Sequence, residues 1–226
     1  QKFIYVCLSF MLVQLTSSAQ DSVVKAHKHP QSIVYNSVVE SNLIQFATLD
    51  QWNKSMTTIP RYTYFFNMGF DANFKVTNYF NLFTGLNMKN IGLIIKYNDS
   101  VREKHRVYTV GAPFGFKIHN LKNNVVFKTG VDVSVAVNYK WKHIVNDTKT
   151  KHNEWFSNRT ALFFPSLFAG LSVKGVAVSA NYYLNNFFNP LHPAVQNWDA
   201  RLFTLGLGLN IDGSASKSKH TKKMKS

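Results

Sequence analysis

Cysteine is nearly absent: Cys7 is the only one in 226 residues. That excludes a disulfide-stapled scaffold. Acid is scarce as well, with 11 Asp and Glu against 26 Lys and Arg, a formal net charge of +15. Charge of either sign makes up only 16% of the chain, where a soluble domain carries about 25%. Beyond the first twenty residues no apolar run reaches the length of about 20 that a membrane helix needs, because Asn, Lys or Gly interrupts each candidate. What is plentiful is apolar (45%) and aromatic (15%). That much apolar content excludes intrinsic disorder for the bulk of the chain, and the length suits one domain with tails.

The first residues read as an address. Lys2 gives a positive start, 3–15 is apolar, and Ser17-Ser18-Ala19 supplies small residues before a cut. This three-part pattern predicts a secretory signal peptide over 1–19. Cys7 lies too early for a lipoprotein cysteine, which would stand at the cleavage point. Residues 20–37 are expected to be a periplasmic lead ahead of a folded body over 38–212. Residues 213–226 hold Lys217, Lys219, Lys222, Lys223 and Lys225 with no acid, a polybasic tail expected to be disordered and periplasmic. In isolation such a run suggests nucleic acid, but the secretory leader makes nucleic acid an unexpected partner. His27-Lys28-His29 lacks the carboxylate or cysteine that would complete a metal site, and neither metal nor cofactor is expected.

The body alternates with period two, as half-buried strands do. In 125–140, Val125, Phe127, Val131, Val133, Val135, Val137 and Tyr139 share a face opposite Lys128, Gly130, Asp132, Ser134 and Ala136. In 203–211, Phe203, Leu205, Leu207, Leu209 and Ile211 oppose Thr204, Gly206, Gly208 and Asn210. Eight such runs fall near 38–48, 62–75, 80–96, 105–118, 125–140, 157–173, 176–188 and 200–211. Pro165, inside the sixth, predicts a bulge or kink because it has no N–H to donate. Connections alternate between short (76–79, 119–124, 173–175) and long (49–61, 97–104, 141–156, 189–199). Lys174-Gly175 suits a tight hairpin.

An even number of antiparallel strands with turns at one end and loops at the other is the pattern of an outer-membrane barrel. The expected fold is therefore all-β: an eight-stranded antiparallel transmembrane up-and-down β-barrel. Aromatics near strand ends, among them Tyr62, Tyr79, Tyr139, Trp141, Trp155, Phe187 and Phe188, are expected to form interfacial girdles. A soluble lipocalin-like barrel also alternates, but its polar wall would have to meet water. Here that face is mostly Gly, Asn, Ser and Thr, which suits a crowded lumen better.

The Ala19-Gln20 junction, the glycine-punctuated strands Asn67-Met68-Gly69-Phe70 and Thr129-Gly130-Val131-Asp132, and the closing Leu205-Gly206-Leu207-Gly208-Leu209 together resemble the small outer-membrane β-barrel (PorT-like) family of Bacteroidota. The resemblance covers about 42–212 and is one of pattern rather than of a diagnostic motif. It implies a barrel of the cell envelope, and one member type serves the type IX secretion system. The chain departs from the usual aromatic C-terminal ending of such barrels, since a polar tail follows Asp212.

Three functions stay open on the residues. The first is a non-enzymatic structural or accessory barrel of an envelope complex, which the resemblance implies to be secretion-related, with outer-membrane lipids and an envelope protein as partners. The second is a narrow, weakly anion-selective channel. By parity Asp71, Lys89, Lys117, Lys128 and Asp132 point into the lumen, and buried charges must pair or cost several kcal/mol. Lys89 and Lys117 in excess of nearby acids would favour anions. The third is a lipid A or peptide hydrolase at the outer rim, using His105, His143, His152 or His192 with Asp99, Asp147, Glu154 or Asp199. No catalytic set is legible, since no histidine has a serine two positions later. The basic stretch 141–156, with Lys142, His143, Lys149, Lys151 and His152, is expected to meet lipopolysaccharide or other anions.

Overall fold

The structure is a computed structural model that describes residues 33–64, 66–120, 124–146 and 148–212. The leader, most of the lead and the tail with its lysines lie outside the described residues. Every element among the described residues is a strand: β1 (Ile33–Gln51), β2 (Lys54–Ser55), β3 (Thr58–Ile59), β4 (Arg61–Tyr62), β5 (Phe66–Lys75), β6 (Phe80–Lys96), β7 (Val101–Asn120), β8 (Val125–Val145), β9 (Thr148–Trp155), β10 (Phe163–Val173), β11 (Val176–Tyr183) and β12 (Trp198–Asp212). Eight of them close a ring in the order β1-β5-β6-β7-β8-β10-β11-β12, and β12 pairs back onto β1. All pairings are antiparallel. The expected eight-stranded barrel is the fold, and its first strand starts at Ile33, inside the stretch expected to be lead.

Turn chemistry sets the narrow end. Lys174 (φ 51°) and Gly175 (φ 91°) form a two-residue turn between the paired Val173 and Val176. Positive φ at both positions is the hairpin geometry that matches strand twist. The β1–β12 register places Asn36 opposite Asp212, and Ile33 pairs with Phe74. Both ends of the barrel chain therefore leave at the short-turn end.

The wall is inverted relative to a water-soluble barrel. Met68, Phe70, Leu86, Val110, Phe114, Val131, Leu167, Val178 and Leu207 are exposed on its outside. Their in-facing neighbours Asn67, Asp71, Asn73, Thr109, Lys117, Asp132, Ser166 and Ser179 are buried. The 11 residues of β10 rise about 26 Å at a tilt near 45°, close to the apolar band of about 25 Å that an outer-membrane barrel presents. Inside, strands approach closely. Gly115 and Gly130 face each other across β7 and β8, and a Cβ on Gly130 would sit 2.6 Å from the Gly115 Cα.

The strands depart from the sequence reading at four places. β7 has 20 residues and β8 has 21, so the expected loop over 141–156 is instead the end of β8 hairpinned to β9. Pro165 causes no shift: the β8–β10 ladder passes through it in register, and the β10–β11 ladder starts at Ser166. The bulges lie elsewhere, on β1 between Ser41 and Ile44 and on β8 opposite Tyr108 and Thr109, where Val137 is the extra residue. An extra residue reverses the in–out alternation. Tyr139 therefore turns inward and is 3% exposed, whereas strict alternation placed it with Val135 on the outside.

Candidate functional site

The lumen is held by ion pairs. Lys117 Nζ lies 2.7 Å from Asp71 Oδ2, and Lys89 Nζ lies 3.2 Å from Asp132 Oδ1. Lys128 pairs with Glu40. All five sequence-predicted lumen charges face inward, and Glu40 is the sixth that sequence parity missed. The β1 bulge blurred its strand's register, so its face was ambiguous. With Glu40 counted, three lysines meet three carboxylates, and the cationic excess that would bias a pore toward anions is gone. Asn87 and Ser134 donate hydrogen bonds to Asp132, and Ser179 donates to Glu40. Lys117 also rests 4.5 Å from the centre of the Phe83 ring. Beside Glu40, Lys89 and Lys128 a cavity of about 60 Å³ remains, room for only a few waters.

Above the ion pairs the lumen turns apolar. Leu49, Ile91, Leu93, Ile95, Val107 and Phe164 are all buried, with Tyr183, Phe187, Phe188 and Leu202 packed among them. The segment joining β11 to β12 doubles back to supply Phe187 and Phe188. Asn186 pins it: its Oδ1 accepts from the Phe188 and Ala200 amides at 3.0 and 2.9 Å, and its Nδ2 donates to the Trp198 carbonyl. Phe188 meets Trp198 edge to face, 4.9 Å between centres. Phe187 and Phe188 thus plug the mouth rather than join a girdle. Tyr62, Tyr79 and Trp155 are by contrast exposed.

Over the plug lies the histidine cluster. The Tyr139 hydroxyl lies 2.7 Å from His105 Nδ1, whose Nε2 lies 3.2 Å from Glu103 Oε2. His143 Nδ1 reaches Glu103 Oε1 at 2.9 Å. A Tyr139 hydroxyl that donates to Nδ1 leaves Nε2–H to donate to the carboxylate. Burial pushes the His105 imidazole below its ordinary value. Burial also works to raise the Glu103 carboxyl, but hydrogen bonds from His105 and His143 outweigh it and hold it below its usual range. His105 is 3% exposed, shut in by Phe188 and Trp198. The arrangement holds an acid between one buried imidazole, His105, and one partly exposed imidazole, His143. His152 stacks on Trp141 at 4.9 Å, and His192 accepts from the Ala194 amide. Among the described residues no three His, Cys, Asp or Glu side chains are arranged so that they could hold a metal ion.

The residues expected to meet anions divide by face. Lys142 of β8 lies opposite Lys104 of β7 and Lys151 of β9. On the same outer face β7 adds Arg102 and Arg106, β8 adds Lys140, and β9 adds Lys149. His143 and His152 belong to the other face, with Glu103 and Trp141. Sequence reading found the lysines of 141–156 but not their partners on β7. The signal was present as Arg102-x-Lys104-x-Arg106 and Lys140-x-Lys142, a period of two that counts only once both strands are seen to extend beyond the belt.

No protein-family model matches the chain, and no curated protein matches it. Among solved structures, the attachment invasion locus protein Ail of Yersinia pestis is 11% identical with a TM-score of 0.39, over 79% of this chain and 99% of its own. Neisserial surface protein A is 11% identical with a TM-score of 0.40, over 79% and 96%. The NanC porin is 8% identical with a TM-score of 0.23, over 79% and 99%. Likeness at this level carries nothing about function, and the barrel stands on its own strand register.

Proposed function

We propose that this chain is a non-enzymatic outer-membrane β-barrel with a sealed lumen, working as a structural or accessory component of an envelope complex. The inverted wall carries this reading. Exposed Leu, Val, Met and Phe surround the barrel, and only lipid makes such a surface favourable, since contiguous apolar patches on soluble monomers rarely exceed a few hundred Å². With the secretory leader read over 1–19, the membrane is the bacterial outer one. The termini then lie in the periplasm, because both leave at the short-turn end, and the long β6–β9 extension faces outward. The resemblance to PorT-like barrels supports an assembly role, with secretion as its most specific form.

The sealed reading is favoured over a channel by two obstructions in series, the three ion pairs and the aromatic plug. An eight-stranded barrel is just wide enough for side chains to fill, and here they fill it. In planar bilayers the purified barrel is expected to give no discrete openings. Stepwise anion-selective currents would overturn the sealed reading. Affinity purification from native membranes is expected to recover a stoichiometric envelope partner. Recovery of the barrel alone under mild detergent would count against the complex.

A further inference from the structure

We propose that the outer face of β7, β8 and β9 beyond the apolar belt is a binding surface for clustered phosphates on a membrane lipid headgroup. The inference rests on the membrane reading above and adds a ligand to it.

The face is a grid of positive charge. Arg102, Lys104 and Arg106 recur every second residue on β7, so all project to one side. On β8 Lys140 stands beside Arg106 and Lys142 beside Lys104; on β9 Lys151 extends the Lys104–Lys142 row, and Lys149 lies across Ile144 from Arg102. Strands lie about 4.8 Å apart and alternate residues about 6.8 Å apart, so neighbouring cations stand at the spacing of a single phosphate's oxygens and their donors. One phosphate cannot span three rows, whereas a headgroup with two or more can.

Among the described residues no carboxylate pairs with these cations. On the protruding parts of the three strands the described carboxylates, Glu103 and Glu154, both belong to the opposite face. There Glu103 pairs with His105 and His143, and Glu154 pairs with Arg159. Each lumen lysine by contrast has its own carboxylate. Burial and then repulsion from Arg102, Arg106, Arg61 and Lys149 lower the pKa of Lys104. Burial and then Arg106, Lys151, Lys104 and Lys149 do the same for Lys142. An anion laid across the rows would relieve that repulsion.

The height of the face selects a lipid over a soluble polyanion. β7 keeps its alternation from Val110 through Tyr108 to Arg106, with no bulge of its own. Val110 is exposed in the belt, and Lys140 lies 5.1 Å from the centre of the Tyr108 ring. Arg106 is four residues beyond Val110, about 10 Å higher on a tilted strand, near the depth of the headgroup layer. A lipid could lay its acyl chains on Val110, Val133 and Phe163 while its phosphates reach Arg106, Lys140 and the row above. Attraction near an anionic surface amounts to about 1 kcal/mol per cation.

The test uses the full barrel, refolded into vesicles of phosphatidylcholine alone or of phosphatidylcholine with a diphosphorylated glycolipid, then extracted and read by native mass spectrometry for retained lipid. Wild type is expected to retain the diphosphorylated lipid at least tenfold over phosphatidylcholine, less so in high salt. Lys104→Glu with Lys142→Glu and Lys151→Glu should lose that preference. The same charge change made at Lys54, Lys75 and Lys174, which are exposed away from the face, should keep it. Heat-modifiable migration on gels confirms that each variant is folded. Equal retention by both triple variants would overturn the proposal. So would inositol hexakisphosphate binding the lipid-free barrel in micelles as tightly as the lipid does, because the site would then belong to soluble polyanions. A wild-type barrel that does not insert into phosphatidylcholine at all would instead sink the membrane reading itself.

Discussion

Glu103 shows what single residues do at the top of this barrel. It joins two imidazoles and draws β7 and β8 together inside the wall. His105 is held neutral by burial, so its pKa in the fold lies below that of the unfolded chain. Its contribution is complete above the unfolded value near 6.5 and is lost as pH falls below it. Glu103 is also depressed, so its share is complete above its unfolded value near 4.3 and is lost in stronger acid. Both act in one direction, and acidification should loosen the outer part of the molecule. Hydrogen exchange at 101–107 and 139–145 is expected to rise between pH 7 and 5. The slope should be at most about 1.4 kcal/mol per pH unit for one proton, and His105→Phe should flatten it. A pH-independent wild type would show that these groups do not titrate differently in the fold. None of this was legible in sequence. His105 and His143 were candidates for hydrolysis, and only the long β7–β8 pairing turns them toward Glu103.

Elements differ sharply in how far the sequence discloses them. Belt strands such as β7 below Tyr108 and β12 were readable, because each residue has one lipid neighbour and one lumen neighbour and so keeps a strict period. The plug segment between β11 and β12 was not. Leu184-Asn185-Asn186-Phe187-Phe188 continues a strand-like texture, and the fact that its phenylalanines seal the mouth follows from Asn186 joining the nearby Phe188 amide to the distant Ala200 amide. Substituting Asn186→Ala leaves those amides without an acceptor, at about 1–3 kcal/mol for each buried group. The variant is expected to keep its barrel while exchange across 184–200 rises and that of β10 stays unchanged. An unaltered exchange pattern would mean that ring packing alone holds the plug. The bulges at 41–44 and at Val137 were equally silent, since an extra residue has no compositional mark, yet each decides what lies inside above it.

At the scale of the whole molecule the scarcity of acid has a structural account. Three of the carboxylates are committed to lumen lysines, and the cationic excess of β7–β9 is left on the outside. Removing one partner should be costly. Asp132→Ala strands Lys89 in the interior and is expected to lower unfolding stability in vesicles by about 3–5 kcal/mol, whereas Lys89→Met with Asp132→Leu should recover most of it. Equal stability of the single and double variants would show that Lys89 reaches water.

The same pairs bear on how the barrel assembles. None joins neighbouring strands: Lys117 on β7 reaches Asp71 on β5, Lys89 on β6 reaches Asp132 on β8, and Lys128 on β8 crosses to Glu40 on β1, 88 residues away in the chain. A hairpin entering the bilayer alone would carry these charges unmatched into hydrocarbon. They find partners only as the ring curls, and Lys128 finds its own only when the first strand has come round. Partial barrels are therefore penalised and the closed one is not, so the lumen charges act as a ratchet that makes closure of the last seam close to all-or-none.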